Sequence, residues 1–217
     1  MFMQTDNKQF WQRWARCYGP VMHNSEPLYE AVAQRIRPHL TPDMNVLELA
    51  CGSGQLSFRL ARLVRDWEAT DFSAEMIAQA KLKPRGAGLY FSVQDATCLP
   101  YAAETFDAVL IANALHIMPQ PQQALTEIAR VLKPGGQLFA PTFVHGETNS
   151  TSTRMLAMKC VGLRVYHDWS VQSYLDFLQA AGFAVQECDT LNDKLAPLCY
   201  VRAVPRKMVP ASSAQNK

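Results

Sequence analysis

Residues 45–54 read NVLELACGSG, which sets a carboxylate, Glu48, just ahead of five small residues, Ala50, Cys51, Gly52, Ser53 and Gly54. Small residues at the carboxyl end of a strand let the backbone approach a ligand closely, and the helix that follows offers N–H groups with no helical partner. Such a loop can cradle the ribose-bearing part of a nucleotide cofactor. A dinucleotide fold asks for G-x-G-x-x-G, and the position three past Gly54 is Ser57. The nicotinamide fingerprint is incomplete, which disfavours an NAD-dependent oxidoreductase.

Asp71 ends the next β-rich run, about twenty residues after the loop. A carboxylate there can accept both hydroxyls of a ribose; the competing reading is an acidic residue ahead of the helix cap Ser73. Asp95, followed by Ala96 and Thr97, ends the third run and can accept an adenine amino group or cap its own loop. The fourth run, FDAVLIAN, delivers Asn113 to the crevice, with His116 just beyond. Asp107 enters that run at the end remote from the crevice and reads as structural. His116 is nominated as proton acceptor or substrate contact, because its ordinary pKa of about 6.5 suits that task. A structural histidine beside an apolar run is the competing reading. Six cysteines are present, with no CxxC and no Cys/His pair at zinc-finger spacing, so no metal site is expected.

These residues need elements to hold them. Short β-rich runs cover residues 45–50, 66–70, 89–95, 106–113, 137–144, 183–191 and 197–204. Helical periodicities lie between them. Gln55 to Val64 carries Leu56, Leu60 and Leu63; Ser73 to Lys81 carries Met76, Ile77 and Ala80; Gln122 to Leu132 carries Ala124, Leu125 and Ile128. A further helix is expected over 170–181. Strands alternating with helices of this length predict an α/β, doubly wound, mostly parallel sheet. Ser73 is placed to cap its helix, and Pro134-Gly135-Gly136 to stop the helix ending near Lys133, whose charge complements the helix end.

An N-terminal block precedes the sheet. Residues 6–18 read as a helix bearing Phe10, Trp11, Trp14 and Tyr18, broken by Gly19-Pro20, and residues 26–40 as a second helix. We expect a helical lid over 1–42, a ligand-binding domain over 43–204 and a polar tail over 205–217. Aromatics among Lys8, Arg13 and Arg16 can close on a hydrophobic ring, rest on a membrane surface through residues 8–18, or serve as core for the helix. Met22, Met155, Met158 and Trp169 extend the apolar character, and Thr148 to Val165 reads as a cap.

The 217 residues suit one domain with additions; 48% are hydrophobic, 18% charged, and the net charge is +2. That charge is too small and dispersed for a nucleic-acid surface. No apolar run is long enough to span a membrane, and the N-terminus lacks the pattern of a signal peptide. Free thiols and a cytoplasmic location, with peripheral membrane contact through the lid as the variant, are the expectation.

VLELACGSG, Asp71, DATCLPYAAETFDAVLIANALH and RVLKPGGQLF, in that order and spacing, resemble the class I methyltransferases of the ubiquinone/menaquinone-biosynthesis-like branch. The resemblance covers roughly residues 44–145. It implies a Rossmann-like seven-stranded sheet with the last strand antiparallel, and S-adenosylmethionine as cofactor. It matches Glu48, Gly52 and Gly54 to the family's loop, Asp71 and Phe72 to its ribose side, and Asp95 and Ala96 to its adenine side. Cys51, Met76 and Asn113 complete the expected cofactor set, and the WxRxAxxY pattern at 11–18 offers Tyr18 as a lid contact. Ala50 stands where many relatives carry glycine; with a negative φ it costs only a methyl of clearance.

The acceptor is not specified by these motifs. The leading expectation is in-line methyl transfer to a small molecule. The alternatives are phospholipid N-methylation of the phosphatidylethanolamine type at a membrane surface, and a non-catalytic module that keeps the cofactor fold. The oligomeric state is not read.

Overall fold

In the computed structural model the chain is described at residues 7, 10 and 12 and over 26–144, 162–191 and 197–206. Within these, α1 spans Glu26–Ile36, β1 Asn45–Leu49, α2 Ser57–Leu60, β2 Asp66–Asp71, α3 Ala74–Lys81, β3 Leu89–Val93 and β4 Phe106–Ile111. The chain continues with α4 Pro121–Val131, β5 Leu132–Phe139, β6 Thr142–Phe143, α5 Val171–Ala180, β7 Phe183–Leu191 and β8 Leu198–Pro205. The strand order is β3-β2-β1-β4-β5-β8, with β7 pairing the far side of β8 and β6 pairing β8 beyond β5. Strands β1 to β5 are parallel, and β8 is antiparallel to its neighbours. This is the expected doubly wound sheet with an antiparallel last strand. The extra strand, β6, is a two-residue resumption after Ala140-Pro141, where proline cannot donate to the ladder.

The central strands have apolar side chains on both faces because helices cover both. Val46, Ala108 and Leu110 pack with Leu28, Val32, Ile36, Leu60 and Ile77 of α1, α2 and α3. Leu47, Leu49, Val109 and Ile111 pack on the other face with Leu125, Ile128, Val131, Tyr174 and Leu178 of α4 and α5. Each fully buried leucine or isoleucine contributes about 1.5–3 kcal/mol relative to exposure. The two layers therefore fix the strand ends, and the loops beyond them, against each other.

Several boundaries differ from expectation. The helix after the glycine loop is a single turn, Ser57–Leu60, which tightens into a 3₁₀ segment over Ala61–Leu63. The second N-terminal helix likewise ends at Ile36 and runs on as 3₁₀ over Arg37–His39, where Pro38 lacks the N–H an α-helix needs. Strand β5 begins at Leu132 and not at Gln137. It pairs Phe106 with Leu132 and Ala108 with Gln137, so Lys133 to Gly136 bulge outward opposite Asp107. Gly135 sits at φ +80 there, and a side chain on Gly136 would meet Lys133 O at 2.9 Å. Lys133 Nζ reaches both oxygens of Asp107, at 2.8 and 2.9 Å, and Asn45 N donates to Asp107 Oδ2 at 2.8 Å. Lys133 thus serves Asp107, whose structural reading stands. Ser73 caps α3 by accepting from Met76 N at 3.3 Å.

Of the N-terminal block, Asn7 and Phe10 are helical and buried. Asn7 Nδ2 donates to Ile117 O at 2.8 Å and Arg164 O at 3.0 Å, and its Oδ1 accepts from Arg164 N at 3.0 Å. Tyr18, Trp11, Trp14, Met22, the positions 145–161 and the tail from 207 lie outside the described residues. Among the described helices, none is long and apolar enough to cross a membrane.

Candidate cofactor site

Loops at the carboxyl ends of β1, β2, β3 and β4 surround a cavity of about 600 Å³. The order β2-β1-β4 puts the change in winding direction between β1 and β4, which is where open α/β sheets bind ligands.

The first loop turns through three left-handed residues: Ala50 at φ +53, Gly52 at +56 and Gly54 at +86. Ala50 therefore does not have the negative φ under which alanine fits freely. A Cβ in this region crowds the following carbonyl at roughly 1–2 kcal/mol, a strain the surrounding loop sustains. Gly54 stands behind the cavity wall. A Cβ there would come within 2.7 Å of Phe58 Cε2 and 3.3 Å of Phe91 Cζ, so this glycine allows the helix to pack under the loop. Ala50, Cys51 and Gly52 line the cavity itself.

Glu48, next to last in β1, is almost fully buried, and its Oε2 accepts from Ser57 Oγ at 2.5 Å and Trp67 Nε1 at 2.8 Å. Burial outweighs those two bonds and pushes its pKa up to about 7, with the nearby Asp71 adding in the same direction. Asp71 ends β2, where Oδ2 accepts from Gly52 N and Oδ1 from Ser73 N, each at 2.9 Å. Burial again dominates and raises its pKa to about 6. A carboxylate has about four acceptor positions, so two remain for a ligand. Phe72 and Met76 complete that wall. Asp95 Oδ1 accepts from Thr97 N at 2.9 Å and Thr97 Oγ1 at 2.7 Å, and this holds the turn that presents Asp95, Ala96 and Gln94 to the cavity. Loop capping and ligand access coexist at Asp95.

Asn113 sits at φ +52 at the end of β4, its N donating to Pro141 O at 2.8 Å. Asn113 lines the cavity, and its Oδ1 is the sole buried side-chain nitrogen or oxygen without a partner among the described residues. An unfilled acceptor in a strained residue is what a ligand-contacting position retains.

His116 is placed differently. Its ring is buried beside the cavity and does not line it; Nδ1 lies 2.9 Å from Thr142 Oγ1, and the ring meets Phe143 edge-on. The His116 carbonyl accepts from Tyr166 N at 3.0 Å and His167 N at 3.1 Å. Tyr18 lies outside the described residues. Met118, two residues past His116, also lines the cavity, and Asn7, Tyr29 and Tyr166 do so from elements remote in sequence. No local motif marks them, so they were not read from the sequence.

The electrostatics discriminate between cofactors. Among the described lining residues are three carboxylates, Glu48, Asp71 and Asp95, and no lysine, arginine or histidine. Two of the carboxylates are buried with raised pKa values, so a cationic ligand would relieve them. Among the charged side chains of the described lining, a pyrophosphate would find only like charge. S-adenosylmethionine carries a sulfonium, an ammonium and ribose hydroxyls, and it fits this donor and acceptor set.

Residues 47–140 match the model of a methyltransferase domain. Fold, loop and matched domain are similar to those of class I S-adenosylmethionine-dependent methyltransferases. The chain is 37% identical over 139 residues to the demethylmenaquinone methyltransferase of Renibacterium salmoninarum, covering 62% of this chain and 58% of that protein. It is 37% identical over 108 residues to the ubiquinone/menaquinone biosynthesis C-methyltransferase UbiE of Bdellovibrio bacteriovorus, covering 48% and 45%. The chain thus spans about half of the length of these two relatives. Among solved structures, a complex of the Haloferax volcanii Trm112 methyltransferase activator with a putative methyltransferase gives a TM-score of 0.74 at 21% identity, over 90% of this chain and 97% of that one. Magnesium protoporphyrin IX methyltransferase from Synechocystis, solved with S-adenosylhomocysteine, gives 0.65 at 17% identity, over 84% of each chain. Both structures share the fold.

Proposed function

We propose that this chain transfers the methyl group of S-adenosylmethionine to a neutral small aromatic acceptor of the quinol kind. The observation that carries the cofactor part is the acidic cavity wall without a cation among its described residues. The acceptor part rests on the neutral, partly aromatic wall of Tyr29, Ile117, Met118 and Tyr166, and on the likeness to demethylmenaquinone methyltransferases. A phospholipid headgroup brings a phosphate that this wall does not balance, so the small-molecule reading is preferred.

S-adenosylmethionine supplies an electrophilic methyl on sulfur, which leaves the protein to align the reactants and exclude water. Asp71 accepts from the ribose while keeping Gly52 in place. Gln94, Asp95 and Ala96 hold the adenine side. Glu48, once ionised, offsets the positive charge, and Asn113 Oδ1 accepts a proton donor at the crevice end of β4. Such positioning can supply about 7–11 kcal/mol of the barrier. His116 acts as a positioning residue that ties Thr142 to the turn bordering the cavity.

The test is incubation with S-adenosylmethionine and a demethylmenaquinol or a 1,4-naphthoquinol, following S-adenosylhomocysteine and methylated product by mass spectrometry. Acceptor-dependent product supports the proposal. Cofactor binding without product from quinols, and product from phosphatidylethanolamine vesicles, would contradict the acceptor. No product from any acceptor class despite binding would favour the non-catalytic module.

A further inference from the structure

Strands β7 and β8 carry two thiols that the cofactor site does not use. Cys188 Sγ and Cys199 Sγ lie 3.7 Å apart, and both are free. In the register of this antiparallel pair Cys188 faces Val201 and Cys199 faces Thr190, so the cysteines are diagonal neighbours on one face of the sheet. That face is covered by Tyr174 and Leu178 of α5. Cys188 is exposed and Cys199 buried. Cys199 is also the register partner of Thr142, whose hydroxyl holds His116. The pair thus lies one strand from the turn that borders the cavity.

We propose that Cys188 and Cys199 form a redox-reactive dithiol site that a hydroperoxide oxidises reversibly to a cross-strand disulfide. Exposure makes Cys188 the sulfur that a peroxide reaches, while burial holds Cys199 as the thiol. The Cys188 thiolate attacks one peroxide oxygen, the O–O bond breaks, and Cys188 becomes a sulfenic acid as the second oxygen leaves as water or an alcohol. The Cys199 sulfur then attacks Cys188 sulfur, loses its proton, and the sulfenic hydroxyl departs as water. Two thiols have given two electrons to one peroxide, and one S–S bond has formed. The sulfurs must close from 3.7 Å to a bond of about 2.05 Å. Among the described residues strand β7 is paired by β8 alone, so it can shift to allow this. Diagonal neighbours are spaced somewhat wider than a relaxed disulfide prefers, at about 7–8 Å between Cα atoms. The resulting bond would be easily reduced, as reversible disulfides are.

The experiment treats the reduced full chain with stoichiometric hydrogen peroxide, blocks the remaining thiols with iodoacetamide, and maps the tryptic peptides. Lys194 separates the two cysteines, so a bond between them joins two peptides. The expected result is a loss of two hydrogens, a Cys188–Cys199 linked peptide pair, and full reversal by dithiothreitol. Cys188→Ser should abolish the pair, and so should Cys199→Ala, which keeps the buried site apolar. Cys188 recovered as sulfinic or sulfonic acid with Cys199 still alkylated would overturn the proposal, as would Cys188 linked to another cysteine. The mapping of the unmutated chain alone decides between these results.

Discussion

Asp71 Oδ2 accepts the backbone N–H of Gly52 at 2.9 Å, so the carboxylate ending β2 holds the glycine loop that ends β1. The residue assigned to the ribose is also the clamp on the loop that the cofactor must approach. Asp71→Ala removes both. We expect a loss of about 1.5–3 kcal/mol in S-adenosylhomocysteine binding, roughly ten- to a hundredfold in Kd. Calorimetric titration of the variant checks this, and an unchanged Kd would remove Asp71 from the site.

Glu48 gives a pH-dependent prediction. Its folded pKa of about 7 lies above the ordinary 4.5, so its proton is held more firmly in the native state. The stability it contributes is full below pH 4.5 and is lost as pH rises through about 7, on the order of 3 kcal/mol in all. Denaturant unfolding of the parent and of Glu48→Gln from pH 4.5 to 8 should show the parent losing ground steadily to the variant. Parallel curves would mean that Glu48 titrates normally. A bound cation favours the ionised form of Glu48, so the preference for S-adenosylmethionine over S-adenosylhomocysteine should grow with pH across the same range, more steeply in the parent than in Glu48→Gln, where Asp71 alone of the two still titrates.

Ala50 at φ +53 carries strain that glycine would not. Ala50→Gly should raise the unfolding free energy by roughly 0.5–1 kcal/mol, the relief of the left-handed Cβ less the extra backbone entropy of glycine. A fall in stability would show that the loop is not left-handed at this position.

Some of this was legible in the sequence and some was not. Strand β7 was read to its exact ends because Gly182 precedes Phe183 and the polar Asn192-Asp193-Lys194 follows Leu191. The beginning of β5 was missed because Pro134-Gly135-Gly136 has the composition of a stop; pairing with β4 carries the strand through it as a bulge. Glu48, Asp71 and Asp95 could be placed because they stand at the ends of readable strands. Tyr29 and Tyr166 could not, since α1 and the segment before α5 meet the cavity only through tertiary packing. The positive φ of Ala50 likewise has no signal in composition, and His116 was placed at the right turn without its direction, which Thr142 sets.

Asn113 combines a left-handed backbone with an unpartnered Oδ1. Asn113→Gly removes both burdens, so the ligand-free protein should gain about 1 kcal/mol in stability. If Oδ1 serves the cofactor, the same variant should bind S-adenosylhomocysteine about tenfold more weakly, or 1.4 kcal/mol. Thermal shift without and with ligand reads both. A gain in stability with unchanged affinity would place Oδ1 toward the acceptor or toward no ligand.

The most direct test of the acidic cavity, without a cation among its described residues, as an S-adenosylmethionine site is isothermal titration of the chain with S-adenosylhomocysteine, with NAD titrated in parallel. Micromolar binding of S-adenosylhomocysteine and none of NAD is the result predicted. Binding of NAD, or of neither ligand, would contradict it.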